Sequence, residues 1–504
     1  MMQKRVAVGS EMVFLSAVEL ARCMRAREFS ATEVLEAHLD QIARHNSKVN
    51  AIATLNEEEA RRRAGEADAA LSGGKVWGPL HGVPVTLKDS FETAGLRTTS
   101  SHRPLANHIP RQDSTIAARL RAAGAIVIAK TNMSELAGDM QSNSPIFGRA
   151  NNPWDVSRTT GGSTGGGAAA VATGMSAIEI GSDGAGSIRH PAHFCGVFAI
   201  NPTKFLVSGA GRLPPLPTDP TRGVRSFGSF GPLARCVDDL KLALSVVAGP
   251  DDRDWKVPPV ALADPPPRPL EKLRLAWIDD FAGMPLSSET RTALEELAGG
   301  LEARGCTVKR LNPPGFDYEE AWRTFGEISG CEFGASTSLT SRILGRLWGP
   351  VVADVLGPWL LRDDPISRAT VRGRGLGVRG YMEALTRRDS LIEALERFLD
   401  NWDAWLCPVA ATQAFTHRGT GTGRRGSSIP VNGKEVPYWS ANVLYLTPFN
   451  LTGSPSVVLP LSLSQEGLPI GVQVVGRRWR DAELLAVASE LSKVTGPFRR
   501  PPGY

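Results

Sequence analysis

Residues 159–174 read TTGGSTGGGAAAVATG, with two hydroxyl residues, Ser163 and Thr164, set among five glycines directly ahead of an alanine-rich run. A flexible linker would stay rich in glycine and serine. This stretch instead turns at once into strong helix formers. It is followed by MSAIEIGSDGAGSIRHP (175–191), an apolar strand pattern and a second glycine-rich turn. Loop, helix, strand and loop in that order are an α/β cadence. If the two glycine turns converge, Ser163 lies near Ser187. Phosphate-binding loops are excluded. The P-loop lysine is missing, since Gly167 is followed by Ala168, and the preceding NNPWDVSRTT (151–160) is polar and turn-like where a dinucleotide fold needs a strand.

The same cadence extends outward. GPLHGVPVTLKDSF (78–91) alternates Val83, Val85 and Leu87 as a strand does and ends on Lys88 and Asp89. STIAARLRAAG (114–124) is a helix stopped by glycine, with the apolar strand AIVIAK (125–130) after it. LRLAWID (273–279), ETRTALEELAGGLEARGCTVKRL (289–311) and GVQVVG (471–476) repeat the pattern. Ser16 with Glu19 and Ser30 with Glu33 are capping boxes that open two early helices. These signals predict one α/β domain over 1–504, with a mixed central β-sheet covered by helices on both faces. Residues 250–400 form a more divergent region. Inside it, ILGRLWGPVVADVLGPWLL (343–361) is apolar but broken by glycine and proline. It reads either as a lid over a pocket or as a buried pair of short helices.

Composition narrows the function classes. With 42% hydrophobic and 22% charged residues over 504 positions, the chain is of globular type, and its net charge of +5 is scattered rather than gathered into a nucleic-acid footprint. The Arg418–Arg425 tract reads as a solvated loop. Six cysteines lie far apart without CxxC spacing, which predicts free thiols and a cytoplasmic protein. No apolar run approaches a membrane span, and MMQKRVAVGSEMVF has no long apolar core of an export signal.

A serine nucleophile needs a base within hydrogen-bond reach. His190 and His193 are close to Ser187 in sequence, yet GAGSIRH is not a G-x-S-x-G elbow. Lys88, at a strand end, is the other candidate. A free lysine is a cation at neutral pH, so such a base needs burial that lowers its pKa by roughly three units, with the Asp89 carboxylate turned away.

Taken together, GVPVTLKDSF, TTGGSTGGGAAAVATG, IGSDGAGSIRHPAHFCGVFAINPTK, GPLARCVDDL and TPFNLTGSPSVVLPLS with GLPIGVQVVG resemble the amidase signature family, in family order over roughly 15–245 and 400–490. The resemblance implies a Ser-cisSer-Lys triad of Ser187 as nucleophile, Ser163 as bridging serine after a cis peptide, and Lys88 as base. It implies an oxyanion hole from the backbone of Gly184, Ala185, Gly186 and Ser187, with Asp183, Arg189 and Thr164 in support. Thr164, Ala185, His190 and Asn201 depart from the usual pattern without touching the triad. The activity implied is hydrolysis of a small or aryl/acyl amide, with esters or carbamates as side substrates. No metal or organic cofactor is implied, and the partners expected are a small-molecule amide and water, without nucleic acid or membrane, in a homodimer. Trp348, Trp359, Trp439 and Tyr438 are expected to line the acyl pocket. The alternatives are the glutamine-hydrolysing subunit of a tRNA-dependent amidotransferase and a non-catalytic scaffold.

Overall fold

Eleven strands form one mixed sheet at the centre of the computed structural model, which describes residues 11–216, 225–263, 265–266, 268–337, 339–353, 364–418 and 427–504. In chain order the strands are β1 (Ile52–Leu55), β2 (Pro84–Lys88), β3 (Ile126–Thr131), β4 (Ile178–Asp183), β5 (Phe198–Asn201) and β6 (Ser229–Ala234). They continue as β7 (Arg274–Trp277), β8 (Thr307–Arg310), β9 (Ala404–Pro408), β10 (Ser456–Leu463) and β11 (Pro469–Val475). Across the sheet the order is β1-β3-β2-β4-β6-β5-β10-β11-β9-β7-β8. The strands β3, β2 and β4 run parallel, as do β9, β7 and β8, and antiparallel pairs join the two groups.

Helices cover both faces. The first are α1 (Ala17–Arg25) and α2 (Ala31–Val49), which begin at the capping boxes Ser16/Glu19 and Ser30/Glu33 read from the sequence. Next come α3 (Glu57–Ser72), α4 (Thr115–Ala122), α5 (Gly165–Ala172), α6 (Arg189–Cys195) and α7 (Val237–Val247). The divergent stretch supplies α8 (Ser288–Glu302), α9 (Tyr318–Ala335), α10 (Leu339–Val351), α11 (Pro365–Gly373) and α12 (Val378–Leu399), and also β7 and the edge strand β8. Two short helices, α13 (Tyr438–Val443) and α14 (Thr447–Thr452), precede β10, and α15 (Asp481–Thr495) follows β11.

Every residue of β2, β3 and β4 is buried. Layers on both faces remove the half-exposed alternation expected of a one-sided strand. That burial positions the site: Lys88 closes β2 in the interior, and α5 lies over the same strands with all its residues buried.

Of the two sequence readings of the segment 343–361, the buried pair of short helices does not describe its first part. Ile343, Leu344, Leu347 and Trp348 of α10 are exposed, so they are not a buried pair, and residues 354–361 lie outside the described residues. Trp348 is 58% exposed, which takes it out of the expected pocket lining, and Trp359 lies outside the described residues. Arg418 is described and its N–H donates to Gln141, whereas 419–426 are not described. The cysteines are free thiols, and no helix among the described residues is long and apolar enough to cross a membrane.

Candidate active site

The glycine loop 161–167 and the turn 184–187 meet at the C-terminal ends of β2 and β4. Lys88 Nζ donates to Ser163 Oγ at 2.7 Å and to Thr164 Oγ1 at 2.9 Å. It also reaches Ser182 Oγ at 3.0 Å and the Ser182 carbonyl at 3.3 Å. The Gly162–Ser163 peptide is cis. Ser142 Oγ donates to the carbonyls of Gly161 and Ser163 and accepts from Gly165 N–H, which fixes the loop from the far side. The Thr164 N–H donates to the Ser187 carbonyl at 3.1 Å, tying the two loops together.

Lys88 is wholly buried, and desolvation pulls its pKa down to about 7 against the opposing pull of the Asp183 and Glu179 carboxylates. Asp89 does not contribute to that opposition. Its carboxylate turns to Thr99 and Ser101, accepting from the Thr99 N–H and hydroxyl and the Ser101 N–H. The serine at 163 and the threonine at 164 are each fully buried, and Ser187 is 6% exposed.

The turn that carries Ser187 is held by Asp183. Its carboxylate accepts from the N–H groups of Gly186 at 2.6 Å, Ile188 at 3.1 Å and Arg189 at 3.3 Å, and from the Arg189 guanidinium at 3.1 Å. Burial alone would raise this acid, yet the guanidinium and the Asn450 amide hold it at about 2. Arg189 reaches on to the Leu446 carbonyl, Gln473 Oε1 and Asn450 Oδ1. One sequence expectation changes here. The Gly186 N–H is bound to Asp183, so it is not a free donor for an oxyanion; the N–H groups of Gly184, Ala185 and Ser187 enter none of the turn's hydrogen bonds. Gly186 is needed for another reason: its φ is +108°, and a Cβ there would meet Leu446 Cδ1 at 2.2 Å.

The histidines make no hydrogen bond to Lys88, Ser163 or Ser187. His190 Nε2 pairs with Asn442 Oδ1 at 2.8 Å, and His193 accepts at Nδ1 from the Gly471 N–H at 2.7 Å. Burial pulls them down to about 3 and about 4, so both are neutral. Tyr438 is half-buried and donates to Asp139 at 2.8 Å, while Trp439 is likewise half-buried beside it. Sequence reasoning did not find Ser182, Asn450 or Gln473. Gln473 did leave a signal, a polar side chain in the middle of the apolar run GVQVVG. Among the described residues, no group of three or more His, Cys, Asp or Glu could hold a metal ion.

The sequence model of the Amidase family matches residues 33–485. The chain belongs to the amidase signature family. Within it, a glutamyl-tRNA(Gln) amidotransferase subunit from Thermosynechococcus vestitus is 32% identical, over 95% of this chain and 97% of that protein. The corresponding protein of Moorella thermoacetica is 30% identical over 98% and 99%. Among solved structures, one reported as an amidase is 28% identical with a TM-score of 0.76, over 96% of this chain and 100% of that one. The 6-aminohexanoate cyclic dimer hydrolase with its substrate is 26% identical with a TM-score of 0.77, over 97% and 99%. A bacterial aryl acylamidase of the amidase signature family, 23% identical with a TM-score of 0.80 over 97% and 99%, shares the fold.

These relatives correct the expectation about partners. A small-molecule amide and water in a homodimer, with no nucleic acid, does not describe the amidotransferase subunits that this chain matches along nearly its whole length. Those proteins are subunits of an enzyme named for glutamyl-tRNA(Gln).

Proposed function

We propose that the chain hydrolyses a carboxamide C–N bond through an acyl-enzyme on Ser187, with Lys88 as base and Ser163 as the bridging hydroxyl. The observation that carries this reading is a wholly buried amine, with its pKa near 7, in contact at 2.7 Å with the hydroxyl of Ser163. In the neutral form, Lys88 takes the proton of Ser163 while Ser163 Oγ takes that of Ser187, and Ser187 Oγ bonds to the amide carbon. The carbonyl oxygen becomes an oxyanion met by the N–H groups of Gly184, Ala185 and Ser187; one such donor is typically worth about 3 kcal/mol in the transition state. The relay returns the proton to the nitrogen as the C–N bond breaks, and water repeats the sequence to free the acid. Thr164 and Ser182 hold the amine in line, and Asp183 and Arg189 hold the turn.

The curated relatives favour glutamine as the amide, with the chain acting as the glutamine-hydrolysing subunit of a tRNA-dependent amidotransferase: identities of 28–32% extend over 94–98% of this chain. In that reading the leaving group is ammonia and the chain works in complex with other proteins. The second reading, a stand-alone amidase acting on small or aryl/acyl amides, is supported by solved amide hydrolases at 26–28% identity that match essentially their whole length. One set of assays separates them. Ammonia release from glutamine and from a panel of small amides is measured for wild type, Lys88→Ala and Ser187→Ala, with labelling by a fluorophosphonate. Both variants are expected to lose at least about a thousandfold in turnover. Full activity or labelling in Ser187→Ala overturns the mechanism; hydrolysis of small amides with none of glutamine selects the second reading.

A further inference from the structure

Glu179 sits behind the base, and nothing in the relay uses it. It is fully buried on β4. The strands β2 and β4 run parallel with Thr86 opposite Glu179, so the two-residue alternation of side chains places Glu179, Thr86 and Lys88 on one face of the sheet. On the other side of β2, Thr131 of β3 is in register with Lys88, and its hydroxyl donates to Glu179 Oε1 at 2.7 Å. The second oxygen, Oε2, has no hydrogen-bond partner among the described residues. The first turn of α5 closes over the group. A Cβ on Gly167 would lie 2.4 Å from Glu179 Cγ, so this glycine is what admits the carboxyl.

The charges around this group are few and can be named. Lys88 acts on Glu179 from β2 on the same face of the sheet, and Lys130 acts on it through space from β3, where it adjoins Thr131 and points to the opposite face. The first turn of α5, Gly165–Gly167, brings no charge. Lys88 in turn is faced by Asp183, Glu179 and Arg212. Most of these groups are already engaged: Asp183 is paired with Arg189, and the Lys130 amine donates to the Phe91 carbonyl and to Thr93. Glu179 is therefore the acid near Lys88 that makes no ion pair among the described residues, with Lys130 and Lys88 both acting on it through space.

Resting on the reading of Lys88 as the base, we propose that Glu179 is a positioning residue that sets how firmly Lys88 holds its proton, acting as a counter-charge from behind the amine without touching substrate. An ionised Glu179 favours the ammonium; a protonated Glu179 leaves the amine free to accept from Ser163. Burial pushes this acid up and pulls the amine down, so that each is drawn toward its neutral form and the two titrate as a coupled pair.

The test is the pH dependence, from 5.5 to 9, of the rate at which a fluorophosphonate labels Ser187 in the full chain. Glu179→Gln removes the charge and is expected to move the midpoint of the acid limb down by about one pH unit. Glu179→Asp retains the charge and brings the midpoint back toward wild type. Thr131→Val, which removes one of the two hydroxyls, with that of Thr86, that favour the carboxylate, shifts it down by less. A midpoint in Glu179→Gln that stays within about 0.2 pH units of wild type overturns the inference, since a one-unit shift is what removing a nearby charge produces. Should Glu179→Gln fail to fold, an unmoved midpoint in Thr131→Val does the same. Labelling that persists in Ser187→Ala is a different failure, of the site itself; labelling that needs Ser187 but ignores residue 179 refutes only the role of Glu179.

Discussion

At Lys88 a single side chain is made useful by being denied water. The β-strand ends in a sealed layer, hydroxyls replace solvent around the amine, and no carboxylate makes direct contact with it. With the amine at about 7, the labelling rate of Ser187 in wild type is expected to rise as pH crosses about 7 and to level off above 8. A midpoint near 10, the value of a solvated lysine, would show that the amine is charged in the resting enzyme. Lys88, Ser163 and Ser187 could be singled out as candidates from the amino-acid sequence alone, because each stands inside a long motif of glycine and apolar residues. Ser182 and Glu179 were not. A serine or glutamate in a strand carries no local mark of which neighbour it faces, and only the register of β2, β3 and β4 places them. Trp348 shows the reverse error, in which an aromatic in a variable stretch suggests a pocket wall and proves to be exposed.

Among the elements, α5 is the one on which the site's geometry depends. Its eight residues are all buried, so it has no outward face, and one of its leading glycines, Gly166, packs against backbone. A Cβ on Gly166 would lie 2.4 Å from the Asn132 carbonyl oxygen. Alanine is the better helix former by about 1 kcal/mol, but overpacking against rigid backbone costs about 1–3 kcal/mol. Gly166→Ala is accordingly expected to lower the urea midpoint and to slow labelling of Ser187; an unchanged or higher midpoint would mean that the helix start can shift freely. The capping boxes of α1 and α2 and the glycine-to-helix switch at α5 could be read from sequence, since each rests on contacts within one turn. The outward apolar residues of α10 could not, because periodicity marks an apolar stripe without saying whether anything covers it.

For the molecule as a whole, the buried amines set the dependence of stability on pH. Burial holds Lys88 and Lys204 at about 7 and Lys130 at about 8, whereas an unfolded lysine titrates near 10.4. Between those values the unfolded chain binds more protons than the folded one, so the free energy of unfolding increases with pH. From pH 7.5 to 8, above the titration of Glu179 at about 7 and below that of the unfolded thiols near 8.5, urea stability is expected to rise by about 1–3 kcal/mol per pH unit, and a flat or falling profile there would contradict the burial of these amines. The mixed sheet could be anticipated from sequence; its strand order could not, because it depends on pairings such as β5 with β10 that join residues more than 250 positions apart. The brace at Arg189 has the same long reach. The candidate residues Lys88, Ser163 and Ser187 all belong to the first 190 or so residues, yet the guanidinium that braces their turn is anchored by Leu446, Asn450 and Gln473. During synthesis, a chain still emerging from the ribosome therefore carries these three side chains long before it carries the partners of that brace, and the proposed site is complete only with the last strands.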